Sequence, residues 1–245
     1  MKAIILAAGL GKRMKPHTDI YQKSMIEVHG KPLLEYIIEG LIFAGLNSIV
    51  IVVGYLKEQV IDYFQDGKKW NVSIEYVEQK ELNGTGGALL ICEEYVEENQ
   101  FFLTWGDVLL SYTVYKEVIN TFLKESPNFI LVTNYTNDPF KGAAVYCENN
   151  YCSSIVEKPP KGKSKSYLNN AGVFIFSTEI FAILKQLKPS IRGEIELTDA
   201  INYGINERKW KVRVVKMDRN KFRGDFGDLK VFEQLTKDIK WLKDL

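Results

Sequence analysis

The chain has 245 residues, 46% hydrophobic and 26% charged, with a formal net charge of +1. That balance gives no global field to draw in nucleic acid or a membrane surface, so any anion it binds must be held by local charge. No stretch reaches the roughly 20 apolar residues of a membrane helix, and the first apolar run is too short for a secretory signal. Cys92, Cys147 and Cys152 have no zinc spacing and read as reduced thiols of a cytoplasmic protein.

Ala3–Leu6 is an apolar run that reads as a buried strand. It opens into the small-residue loop Ala7–Arg13, where backbone N–H groups can close on phosphate. Arg13, Lys15 and Lys23 follow and supply the charge a triphosphate requires. Gly9-Leu10-Gly11 is followed by Met14 where a dinucleotide fingerprint needs its third glycine, and no Gly-Lys-Ser/Thr follows, so neither the dinucleotide nor the Walker pattern fits. Helical spacing over Leu33–Phe43 begins after Pro32; Ser48–Val53 is a β-branched strand, Lys57–Phe64 a helix and Ser73–Val77 a third strand. Thr85–Tyr95 reads as a helix behind a Gly-rich loop. Phe101–Thr104 is a short buried strand, Tyr115–Lys124 a helix and Asn128–Thr133 a strand. This alternation predicts an α/β fold with a Rossmann-like, doubly wound, mostly parallel sheet and helices on both faces.

After about residue 138 the pattern changes. Ala143–Cys147 and Ser154–Glu157 read as a hairpin, and Pro159–Ser166 as a basic loop. Ala171–Ser177 is a strand, Ile180–Leu187 and Glu196–Asn206 are helices, and Lys211–Met217 is a further strand. Leu229–Leu242 lines Leu229, Phe232, Leu235, Ile239 and Leu242 along one helical face. One domain is expected over 1–245: 1–137 mainly nucleotide-binding, 138–228 a small β-rich subdomain laid on it, 229–245 a terminal helix.

Asp107 ends a strand, at the carboxyl edge where open α/β sheets bind ligands. Asp225 sits between glycines in Arg223-Gly224-Asp225-Phe226-Gly227-Asp228; the two carboxylates with phosphate oxygens would suit Mg²⁺. Gln79 can read the edge of a base, and Gly84 lets backbone approach it. His17 and His29 are too isolated for a metal site and read as surface or loop residues.

Taken in order, these segments resemble the sugar-1-phosphate nucleotidyltransferases, from Met1 to about Asp228. The resemblance is carried by Leu6-Ala7-Ala8-Gly9-Leu10-Gly11-Lys12-Arg13, Gln22-Lys23, Gly84-Thr85-Gly86-Gly87, Gly106-Asp107, Glu157-Lys158-Pro159, Asn170-Ala171-Gly172 and Arg192-Gly193-Glu194 through Thr198-Asp199. Lys12 stands where Thr or Ser is more usual, Gln22 where Pro is common, Arg223 where Trp is often found and Asp228 where Thr often follows; residues 1–245 contain no hexapeptide repeats, so the expectation is a member without that tail.

The resemblance implies the fold of nucleotide-diphospho-sugar transferases and an enzyme making an NDP-sugar and pyrophosphate from an NTP and a sugar-1-phosphate, with Mg²⁺. It implies Arg13 and Lys23 as catalytic residues and Asp107 and Asp225 as metal ligands. Nucleotide binding falls to Leu6, Ala7, Ala8, Gly9, Gly11, Lys12, Gln79, Gly84 and Thr85, and sugar-phosphate binding to Gly142, Glu157, Lys158, Asn170 and Gly172. Glucose-1-phosphate with dTTP or UTP leads; cytidylyl or guanylyl transfer to another phosphorylated sugar or alditol, or a non-catalytic NDP-sugar-binding regulator, are the alternatives. Such proteins often form homo-oligomers, and the stripe of the last helix fits either an interface or the core.

Overall fold

The β-branched and apolar runs form strands, and the segments of helical spacing form helices. A computed structural model of the chain describes residues 1–245. Its first elements are β1 (Ala3–Leu6), β2 (Glu27–Val28), β3 (Lys31–Pro32), α1 (Leu33–Phe43), β4 (Ser48–Val53), α2 (Lys57–Phe64), β5 (Ser73–Glu78), α3 (Thr85–Leu90), β6 (Gln100–Trp105) and β7 (Val108–Leu110). There follow α4 (Tyr112–Glu125), β8 (Phe129–Tyr135), β9 (Ala143–Glu148), β10 (Tyr151–Glu157), β11 (Leu168–Ser177), α5 (Glu179–Leu184), α6 (Leu197–Glu207), β12 (Val212–Lys216), β13 (Arg223–Asp225) and α7 (Leu229–Lys237).

The chain forms two compact units, each built from separated segments. The first comprises 1–82, 104–117 and 221–245, and the second 83–103 and 118–220.

In the first unit β1, β4 and β5 pair in parallel, with Ile4 opposite Val50 and Ile51 opposite Tyr76. β4 is Ser-Ile-Val-Ile-Val-Val and buried from Ile49 to Val53, the pattern of a strand covered on both faces. α1 begins directly after Pro32 and buries Leu34, Ile37, Ile38 and Leu41. A small ribbon adds β7 and β13, antiparallel, with Asp225 opposite Val108.

The second unit is a mixed sheet. β8 pairs in parallel with β12 and antiparallel with β11, while β10 joins β12 to β9 through antiparallel pairs. Its core is aromatic: Phe129 stacks on Trp210 at a centroid distance of 3.8 Å, and Phe101 on Phe181 at 5.5 Å.

Three predicted helices end sooner than expected; Ile180–Leu187 is helical only to Leu184. Thr85–Tyr95 is helical only to Leu90, because the Cys92 N–H bonds to the Leu89 carbonyl three residues back and the chain tightens into a 3₁₀ turn at Glu93–Tyr95. Leu229–Leu242 stops at Lys237, where Asp238 is extended, and Ile239 is 61% exposed rather than part of an apolar stripe. The break lets Trp241 turn into a cluster with Phe222, Tyr36 and Phe226 at 4.9, 5.7 and 6.2 Å. His17 packs edge-on against Phe232 at 5.4 Å, and the His29 ring nitrogen lies 3.1 Å from the Leu235 carbonyl, so both histidines anchor the C-terminal segment.

All three cysteines are free, and burial pushes the Cys92 and Cys152 thiols up to about 12. No helix is long and apolar enough to cross a membrane.

Candidate active site

The small-residue loop Ala7–Arg13 of the first unit starts where β1 ends. The Ala7 N–H donates to the Val52 carbonyl at 2.9 Å, continuing the strand pairing into the loop. Gly11 turns the chain at φ 61°; a β-carbon there would stand 2.7 Å from Thr18 Cγ2 and 3.2 Å from Lys23 Cβ. The turn therefore depends on glycine, and it lets Lys23 lie against the loop. Gly9 and Lys12 are exposed, as is Arg13, while Ala7 and Ala8 are buried and Leu6 is half-buried.

Gln22 is the residue that sequence reasoning undervalued. It is buried, its amide N–H donates to the Ala7 carbonyl at 2.6 Å, and its Oε1 accepts from the Ser24 N–H at 2.6 Å. The Gln22 N–H donates in turn to Gln59 Oε1 at 2.7 Å. One side chain thus ties the Lys23 segment to the Ala7–Arg13 loop. Its position one residue before the lysine was the available signal, but an amide in a proline's place gives no hint of burial.

β6 delivers Asp107 to the same place. The Gly106 N–H donates to the Leu6 carbonyl at 2.9 Å, and a β-carbon on Gly106 would meet Ala7 Cβ and Ser24 Oγ, both at 2.9 Å. The strand end therefore packs flat on the loop, and the next residue projects its carboxylate there. Lys23 Nζ donates to Asp107 Oδ2. Burial resists charge on Asp107, but Lys23 and then Arg13 outweigh it and hold the carboxyl below its usual range.

Asp225 arrives through the β7–β13 ribbon, and the Phe226 N–H closes it with a 2.9 Å bond to the Asp107 carbonyl. The Gly227 N–H donates to Asp225 Oδ1 at 3.0 Å. A β-carbon on Gly227 would lie 3.0 Å from Asp225 Oδ1, 3.1 Å from Asp107 Oδ2 and 3.2 Å from Arg13 Nη2. Two carboxylates and a guanidinium thus converge on one point that a side chain at 227 would crowd. No group of three or more His, Cys, Asp or Glu is arranged to hold a metal. A pair of carboxylates beside Arg13 and Lys23 fits Mg²⁺, which takes one or two carboxylates and completes its shell with phosphate and water oxygens. Gln79, 7% exposed, stands just past β5, its N–H donating to the Val53 carbonyl at 2.8 Å.

The second unit carries the remaining expected residues. Gly84 takes φ 97° and leads into α3. The Gly86 N–H donates to the Ile195 carbonyl, the Ile195 N–H to the Asn83 carbonyl, and Thr85 Oγ1 accepts from the Leu197 N–H at 3.4 Å. Thr85 therefore also anchors the start of α6. Asn170 is buried with its Oδ1 accepting from the Gly172 N–H at 2.8 Å, where the β8–β11 register shifts and Gly172 has φ 83°. Its side chain shapes the bend. Gly142 accepts from the Lys158 N–H at 3.1 Å, so the two expected sugar-side residues are neighbours.

Glu157 ends β10 opposite Ala143. Burial raises its carboxyl, and Glu196 raises it further, against Lys158 and Arg192. Arg192 Nη2 lies 2.5 Å from Glu196, 3.1 Å from Glu194 and 3.7 Å from Glu157. Glu196 and Arg192 were legible only as parts of a matching segment; their pairing with Glu157 required the fold. Lys158 is exposed, its Nζ 4.0 Å from Glu157.

The Nucleotidyl transferase family model matches residues 2–241, and the chain belongs to that family. It is 38% identical over 209 residues to the bifunctional protein GlmU of Methanococcus maripaludis, an alignment covering 85% of this chain and 48% of that protein. The chain thus spans about half the length of that relative. It is 33% identical to the UTP–glucose-1-phosphate uridylyltransferase AglF of Haloferax volcanii, with 82% of each chain covered. A solved UDP-glucose pyrophosphorylase in complex with UDP-glucose superposes with a TM-score of 0.86 at 25% identity, over 96% of this chain and 97% of that one.

Proposed function

We propose that the protein transfers a nucleotidyl group from an NTP to a sugar-1-phosphate, releasing pyrophosphate, with glucose-1-phosphate and UTP or dTTP as substrates. The observation that carries this reading is the convergence of Asp107, Asp225 and Arg13 beside Gly227, with Lys23 bonded to Asp107. The named activity of the Haloferax relative and the UDP-glucose held by the solved neighbour support the sugar and the base.

In this reading the sugar phosphate oxygen attacks the α-phosphorus in line and pyrophosphate leaves, a step that needs positioning and charge neutralisation. Arg13 takes the β- and γ-phosphates and the leaving pyrophosphate. Lys23 exchanges Asp107 for the α-phosphate and the incoming phosphate. Asp107 and Asp225 would hold Mg²⁺, which supplies charge neutralisation when bound. Leu6, Ala7, Ala8, Gly9, Gly11 and Lys12 line the nucleotide, and Gln79, Gly84 and Thr85 the base. Lys158 takes the sugar phosphate, Glu157 and Asn170 the sugar hydroxyls, and Gly142 and Gly172 offer backbone to the sugar. The reaction belongs in the cytoplasm, and three free cysteines agree with a reducing compartment.

The test is pyrophosphate release with Mg²⁺ over a grid of five nucleoside triphosphates and several sugar-1-phosphates. Release that needs both UTP or dTTP and glucose-1-phosphate is expected. Release with CTP or GTP alone among the nucleotides would replace the base assignment, and silence throughout would contradict the reaction.

A further inference from the structure

Arg223 stands two residues before Asp225 on β13, so both side chains project from the same face of the strand. Arg223 Nη2 lies 3.4 Å from Asp225 Oδ2. Its Nε is buried and makes no hydrogen bond, so the guanidinium keeps a donor unused. Asp107 is already bonded to Lys23 and lies under the influence of Arg13. Two carboxylates therefore face three cations.

The charge count has a consequence for metal uptake. With Arg223 the cluster carries an excess positive charge, which repels a free divalent cation. Without Arg223 it would be neutral. A phosphate chain reverses the balance, because each cation can leave its carboxylate for a phosphate oxygen and free that carboxylate for metal. Arg suits the exchange, since its planar fork pairs with carboxylate or phosphate in the same way.

Resting on the nucleotidyl-transfer reading above, we propose that Arg223 is a counter-charge that holds Asp225 until substrate phosphate arrives, so that the divalent cation is taken up together with the phosphate and not ahead of it. Arg223 then moves from Asp225 to a phosphate oxygen. A tryptophan at this position, as the resemblance leads one to expect, could not make that exchange.

The test uses two separate binding measurements on the full chain by equilibrium dialysis: Mn²⁺ alone, and inorganic pyrophosphate alone in metal-free buffer. In Arg223→Met, Mn²⁺ affinity should rise and pyrophosphate affinity fall, each about three- to tenfold, the scale of one partly exposed charge. Arg223→Lys, which keeps the charge, should stay near the wild type in both. A merely structural arginine would lower both affinities together in Arg223→Met. That outcome, or an unchanged Mn²⁺ affinity, overturns the proposal while the metal site stands, provided Asp107→Asn added to Arg223→Met loses Mn²⁺ binding. If the double variant binds Mn²⁺ as Arg223→Met does, the metal-site reading fails and this proposal fails with it.

Discussion

Arg13 and Lys23 differ in what holds them. Lys23 is bonded to Asp107 in the resting protein, whereas Arg13 is exposed and approaches the carboxylates only through its guanidinium. In the proposed reaction Arg13 would thus be free to follow the phosphates through the transfer. Arg13→Ala should lower turnover by about 10²–10³-fold, by analogy with removing one preorganised charge-stabilising donor, with little change in melting temperature. Steady-state kinetics with both substrates checks this. Glu157 gives a pH signature. Its carboxyl is raised above 4.5, so the folded protein keeps a proton that the unfolded chain releases. Stability from this group is full below that value and declines as pH rises through the folded pKa. Glu157→Gln should remove that decline, and urea midpoints across the acid limb should show a flatter profile for the variant than for the wild type.

The elements show what could be seen in the sequence and what could not. β1, β4 and α1 were legible with their bounds intact, because a short β-branched run and a Pro-started amphipathic run need little tertiary help. The β7–β13 ribbon was not. Each strand has three residues, too few to show a period, and the pair exists because Asp225 and Val108 meet across long sequence separation. The carboxylates could therefore be named as a pair, but the ribbon that joins them could not be drawn. α7 was legible as a helix and misjudged in length, since Asp238 breaks it in favour of packing Trp241. Its start is better defined: Asp228 accepts from the Lys230 N–H at 3.0 Å and the Val231 N–H at 3.3 Å, a paired N-cap immediately after Gly227. Asp228→Ala should cost about 1 kcal/mol of stability, read from chemical denaturation. Because the cap adjoins Gly227, beside which Asp225 and Asp107 converge, the same variant should also weaken Mn²⁺ binding.

At the scale of the molecule, charge is distributed by chemistry. The net charge is only +1, yet Arg13, Lys23 and Arg223 gather around two carboxylates in one unit, and three glutamates surround Arg192 in the other. The first cluster suits a substrate dense in negative charge. The second, with burial raising Glu157, suits a partner that offers hydroxyl donors. The ordered motifs made the family legible, because several of them set a residue type where a strand ends, as Gly106-Asp107 and Glu157 do. The networks of Gln22 and Glu196 were hidden, since a buried amide and a buried carboxylate look like surface residues until their partners are known.

The most direct measurement follows the α-phosphate itself. UTP or dTTP labelled at the α-phosphorus is incubated with glucose-1-phosphate and Mg²⁺, and the products are separated. The label should appear in an NDP-sugar, at a rate that falls at least about 10²-fold in Asp107→Asn. Label recovered only as unreacted triphosphate or as hydrolysed monophosphate, or a transfer rate untouched by Asp107→Asn, would contradict the account.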